Sequence, residues 1–256
     1  GPRAMRLASA SLAWCRPYSW DFDPLDRLHV IDYGDLFFDL GRPQEIPGVI
    51  RQRMATLVEA GVLPLSLGGD HFVSYPILQA LAEKHGPISL IHFDAHSDTW
   101  EDEDGRIDHG TMFFHAAKQG VVDPARSIQL GMRTFNPETH GYEVRHANWM
   151  HAYGIDATIA AIRERVGAHP CYVSFDVDFL DPAYAPGTGT PVVGGFSTQD
   201  ALRLIRGLAG LNVIGADVVE VSPPYDVGDI TALAAASVAH ELLAVIASRY
   251  PDRPVR

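Results

Sequence analysis

Apolar residues follow two rhythms along this chain. Short, nearly continuous runs at 27–36, 62–69, 88–94, 127–132, 171–178 and 211–221 predict β-strands. Several are apolar almost throughout, as strands covered on both faces are. Between them, 50–61, 75–86, 158–167, 198–210 and 230–249 carry apolar positions three and four apart and predict helices. Gly61, Gly86, Gly167 and Gly210 are placed to close four of these helices. Strand alternating with helix predicts an α/β fold, three layers (α/β/α) around a central, mostly parallel sheet. No repeat, low-complexity tract or linker divides the chain, so residues 1–256 read as a single domain.

Polar residues break this pattern at consistent places. "GGDH" (68–71) follows the second run, "DAHSD" (94–98) the third, "DVD" (176–178) ends the fifth, and "EV" (220–221) the sixth. Each lies at the carboxyl end of a predicted strand, the edge where open parallel sheets bind ligands. Motifs far apart in sequence would therefore converge on one rim.

His71, Asp94, His96, Asp98, Asp176 and Asp178 are the candidates there. Four carboxylates gathered in a buried place repel one another, and two divalent cations would balance them. The residues divide into two sets. His71, Asp94, Asp98 and Asp176 could hold one ion, and Asp94, His96, Asp176 and Asp178 the other, with Asp94 and Asp176 bridging and room for a shared water or hydroxide. Oxygen-rich donors with few imidazoles and no thiolate suit Mn²⁺ better than structural Zn²⁺. Alone, any one motif reads equally as a glycine turn or a solvated strand end; the convergence favours metal.

Composition narrows the setting. The net charge of −12 argues against nucleic acid, which needs a basic footprint. Apolar runs short of the roughly 18 residues of a membrane span predict no membrane insertion. The two cysteines, Cys15 and Cys171, with no secretory pattern at the start, predict a reducing, cytoplasmic setting.

With "DHGTMF" (108–113), "SFDVDFLDPAYAPGTGTPVVGG" (174–195) and "DVVEV" (217–221) added, the chain resembles the ureohydrolase family of arginases, agmatinases and related amidinohydrolases. The resemblance runs from the start nearly to residue 245. It implies an arginase/deacetylase-like α/β/α fold, a centre of two Mn²⁺ per chain with the same division of ligands, hydrolysis of a guanidino group to urea and an amine, and a homotrimer or homohexamer. It also implies His109 as the proton-shuttling histidine, Glu220 as the carboxylate that binds the substrate guanidinium, and Thr190 as a substrate-site residue that orients Glu220. Asp181 reads as a turn residue before proline. Family members reach the opening "GPRAMRLAS" after a strand and glycine-rich loop, which the resemblance places outside these 256 residues.

Agmatine is the expected substrate. Glu101, Asp102, Glu103 and Asp104, between the metal motif and His109, would repel a carboxylate and welcome an ammonium, or they are a solvated loop. Arg106 points the other way, towards 4-guanidinobutyrate. Arginine or a formimino compound, a single-metal deacetylase and a silent metal-binding scaffold are the remaining alternatives. His115 could touch substrate; His29, His85, His92, His140, His146, His151, His169 and His240 read as core or surface.

Overall fold

In chain order the strands are Leu65–Leu67 (β1), Ser89–Phe93 (β2), Ile128–Met132 (β3), Glu143–His146 (β4), Cys171–Asp176 (β5) and Val213–Val219 (β6). The computed structural model describes residues 1–101 and 104–250. Within them, all strand pairs are parallel and the sheet runs β1–β6–β5–β2–β3–β4. From β2 the chain steps outward to β3 and β4; from β5 it steps outward the other way to β6. The order therefore reverses between β2 and β5, the place where such sheets open a crevice for ligands.

Helices cover both faces. Pro2–Ser9 (α1), Ala147–Val166 (α5), Thr198–Arg206 (α6) and Ile230–Ala247 (α7) pack on one side, where Met5, Ile162, Leu204 and Val238 meet Ile91, Phe93, Val173 and Phe175. Ile46–Glu59 (α2), Ser74–His85 (α3) and Met112–Lys118 (α4) cover the other, where Met54, Ile77, Leu81 and Phe113 meet Leu90 and Tyr172. Alternate residues of β2 thus serve opposite layers. α7 is long and apolar enough to cross a membrane, yet most of it is buried in this packing.

Several expectations are corrected. Residues 27–36 form no strand: Ile31 and Tyr33 are exposed, and Asp32 and Asp35 turn instead to Arg6 of α1 at 2.8 and 2.5 Å. β4 went unpredicted because this short edge strand carries Glu143 and Arg145. α1 and α4 were likewise unpredicted, and α5 begins at Ala147, broken at Gly154 (φ 85°), well before residue 158. Gly86 and Gly167 do cap α3 and α5, and Gly61 follows the cap of α2. Gly210 caps nothing, since α6 ends at Arg206 with Gly207 in the cap position, where a β-carbon would overlap Ile159.

Candidate metal centre

Four neighbouring strands deliver the candidate ligands. After β1, Gly68 lets the chain pass close to β6; a β-carbon there would lie 2.7 Å from Val219 Cγ1. Asp70 then starts a helical turn by accepting a hydrogen bond from the Phe72 amide (2.9 Å), which turns His71 inward. Beyond β2, Asp98 takes a left-handed backbone (φ 53°), as does Glu220 beyond β6 (φ 62°). Neither is glycine, and such strain collects at functional sites. At the end of β5, Asp176 accepts from the Asp178 amide (2.8 Å), placing both carboxylates in one turn.

The side chains meet in two adjoining groups. His71 Nδ1 lies 3.2 Å from Asp94 Oδ2, 3.0 Å from Asp98 Oδ2 and 3.2 Å from Asp176 Oδ2. His96 Nδ1 lies 2.9 Å from Asp178 Oδ2 and 3.3 Å from Asp94 Oδ1. Asp94 faces both groups, one oxygen each. Asp176 reaches the first group through Oδ2, while its Oδ1 accepts from the Asp178 amide; among the described residues it makes no hydrogen bond or ion pair with His96. Apart from the half-buried His96, all these ligand candidates are buried.

A test of metal fit comes from His71. Its Nε2 contacts Ser174 Oγ at 2.8 Å, and that hydroxyl donates to Asp217 Oδ1 at 2.8 Å. Ser174 having spent its proton on Asp217, His71 Nε2 must be the donor. In the neutral ring Nδ1 is then a lone pair aimed at three carboxylate oxygens, buried and without a hydrogen bond. A positive charge placed among them, as a bound metal ion would supply, resolves that arrangement. Asp217 itself is fully buried and takes two more hydroxyl donors, Ser74 (2.5 Å) and Tyr172 (2.7 Å).

The titration shifts record the same crowding. Burial raises the Asp176 carboxyl well above its usual range, and Asp178 and Asp94 add to it. Burial and Asp94 push Asp178 up to about 7, against the pull of His96. Asp98 is raised by burial and Asp94. Burial works against the charge on Asp94, but His92, His71 and His96 hold it well below its usual value. Burial likewise opposes protonation of His71 and His96, and the surrounding carboxylates outweigh it, carrying His71 well up and His96 to about 11. A field that draws protons in this way also favours divalent cations.

Around the rim, Trp100, Glu101, Arg106, Asp108 and His109 line a cavity of about 460 Å³. Glu220 Oε1 accepts a 2.6 Å hydrogen bond from the His71 amide; burial raises its carboxyl. His109 is exposed, with Nδ1 3.1 Å from Asp70 Oδ2.

The Arginase family model matches residues 1–245. The chain belongs to the arginase family. An agmatinase of Chromobacterium violaceum is 50% identical over 251 residues, covering 97% of this chain and 78% of that one. An X-ray structure of a hypothetical agmatinase from Burkholderia thailandensis superposes with a TM-score of 0.95 at 52% identity, covering 98% of this chain and 79% of that one. The proclavaminate amidino hydrolase of Streptomyces clavuligerus gives 0.90 at 37% identity, covering 97% and 85%.

In this arginase-family chain the buried His/Asp cluster is a binuclear metal site. The six candidate ligands do converge, and His109 and Glu220 stand at the rim. Thr190 differs from expectation: its hydroxyl points to Asp178 Oδ2 (3.4 Å), and among the described residues it makes no bond to Glu220. Asp181 is a turn anchor, accepting from the amides of Ala183, Gly194 and Gly195. His115 is buried on α4 and does not line the cavity. Of the acidic run, Asp102 and Glu103 lie outside the described residues. His92 is a core residue, fully buried, and the sequence did not reveal that its Nε2 lies 2.8 Å from Asp94 Oδ2. The available signal was parity, since His92 sits two residues before Asp94 on the same strand face. Asp70, Ser174, Asp217 and Gln129 also escaped notice. Gln129, His92, Ser174 and Asp217 are register neighbours on β3, β2, β5 and β6, forming one polar row beneath the cluster.

Proposed function

We propose that this chain hydrolyses agmatine to putrescine and urea, as a manganese-dependent agmatinase with two ions per chain. The carrying observation is Asp94, which turns one oxygen to the His71 group and the other to the His96 group, in a chain half identical to an agmatinase. His71, Asp94, Asp98 and Asp176 would hold one ion, and Asp94, His96, Asp176 and Asp178 the other. The oxygen-rich donor set without thiolate favours Mn²⁺. When bound, the ions would lower the pKa of a shared water towards neutrality.

The chain's own groups do the rest. Glu220 accepts the planar guanidinium; the His71 amide fixes its Oε1, and among the described residues Oε2 accepts no hydrogen bond. His109, with Nδ1 turned to Asp70, keeps Nε2 for passing a proton to the departing amine. Thr190 braces Asp178. Arg106 is engaged by Asp108 at 2.9 Å, which offsets its charge towards a carboxylate-tailed substrate such as 4-guanidinobutyrate, while Glu101 stands on the cavity wall for an ammonium.

The same proposal takes residues 1–256 as one domain, a homotrimer or homohexamer as the assembly, and the cytoplasm as the setting. Both cysteines being free, Cys171 with its thiol pushed up to about 12 by burial, supports a reducing compartment. The test is urea release from agmatine, arginine and 4-guanidinobutyrate, with bound metal counted in the same sample. Agmatine should lead with two ions per chain. A faster rate on either carboxylate-bearing substrate would overturn the assignment, and one ion per chain would favour the deacetylase-like alternative.

A further inference from the structure

His92 belongs by position to the first group of possible metal ligands, with His71, Asp94 and Asp98. Its hydrogen bonds say otherwise. On β3, Gln129 is fully buried and in register with His92. Its side-chain nitrogen lies 2.5 Å from the Ser97 carbonyl oxygen and 3.1 Å from His92 Nδ1. A carbonyl only accepts, so the Ser97 contact fixes which end of the amide is NH₂. The second amide hydrogen then points at His92 Nδ1, which must accept it. The neutral ring therefore carries its proton on Nε2, 2.8 Å from Asp94 Oδ2, where it donates. A protonated nitrogen cannot ligate a metal, and the other nitrogen is occupied.

We infer that Gln129 and His92 are positioning residues: Gln129 sets the His92 tautomer, and His92 pins Oδ2 of the shared Asp94 so that both of its oxygens stay aimed at the two groups. This rests on the binuclear site and not on the choice of substrate. The ring has little freedom to do otherwise, since Phe113 meets it edge-on at 4.7 Å between centroids. Outer hydrogen bonds of this type typically contribute about 10–100-fold to metal affinity.

Two measurements test it, neither using substrate. Neutron diffraction from deuterium-exchanged crystals of the Mn²⁺-loaded enzyme should show deuterium on His92 Nε2 and none on Nδ1. Competition of Mn²⁺ against a chelator should show His92→Gln, which keeps an N–H near that place, within about threefold of the parent chain. His92→Leu should lose about 10-fold or more in affinity, with two ions still bound at saturation and an unchanged circular dichroism spectrum. A His92 nitrogen bonded to manganese, deuterium on Nδ1, or a His92→Leu affinity equal to the parent would overturn the inference. The neutron result needs no variant, so it decides even if His92→Leu fails to fold. Failure to hydrolyse agmatine would sink the substrate assignment and leave these results standing.

Discussion

Asp70 Oδ2 lies 3.1 Å from His109 Nδ1, tying the turn after β1 to the loop before α4. Asp70 has a second duty, since its Oδ1 caps the turn that carries His71. Burial pulls the His109 pKa down and Asp70 more than reverses this, leaving it above its ordinary value. If protonated His109 donates to the leaving amine, turnover persists until pH rises through that raised pKa. Asp70→Asn lowers the pKa, so the alkaline limb of kcat against pH should move to lower pH, with about a 3–10-fold loss at the plateau. A limb that stays in place would remove the pair from the reaction.

Glu220→Gln keeps the shape of the guanidinium acceptor and removes its charge. A hydrogen bond to a charged group contributes about 1.5–3 kcal/mol, so kcat/KM should fall about 10–100-fold. Metal content should be unchanged. Metal analysis alongside steady-state kinetics checks both halves.

Asp94→Ala removes the carboxylate shared by the two groups. Both ions should be lost on dialysis and urea release abolished, read by elemental analysis of the dialysed protein. One ion retained would mean that Asp94 serves a single group.

Glu101 is more than half exposed, so its pull on a substrate ammonium is screened. Glu101→Gln should raise KM for agmatine only about 2–5-fold and leave kcat alone. A larger rise in KM for arginine than for agmatine would contradict the role given to this carboxylate.

Much of this was legible in the chain because the physics is local. Buried strands such as β2 and β5 are mostly apolar runs, and the acids at their ends, Asp94 and Asp176, announce a rim. The misread stretch at 27–36 has strand-like composition in Val30, Ile31 and Tyr33, but pairing depends on a neighbour that local pattern does not reveal. β4 failed in the opposite sense, its polar residues being tolerable only at a sheet edge. Gln129 and Asp217 were invisible for a deeper reason. Each is one polar residue within an apolar run, and only the strand register brings it to His92 or Ser174.

That polar row has a consequence for how the sheet is assembled. Side chains alternate across a strand, so a one-residue slip of β3 or β6 would turn Gln129 or Asp217 towards the layer holding Phe93, Phe175 and Val238. A lone amide or carboxylate among hydrocarbons is costly, and its abandoned hydroxyl or imidazole partner would be stranded as well. The row therefore proofreads strand alignment: a misthreaded sheet is penalised before any ion arrives, and only the correctly threaded one has a place to put it.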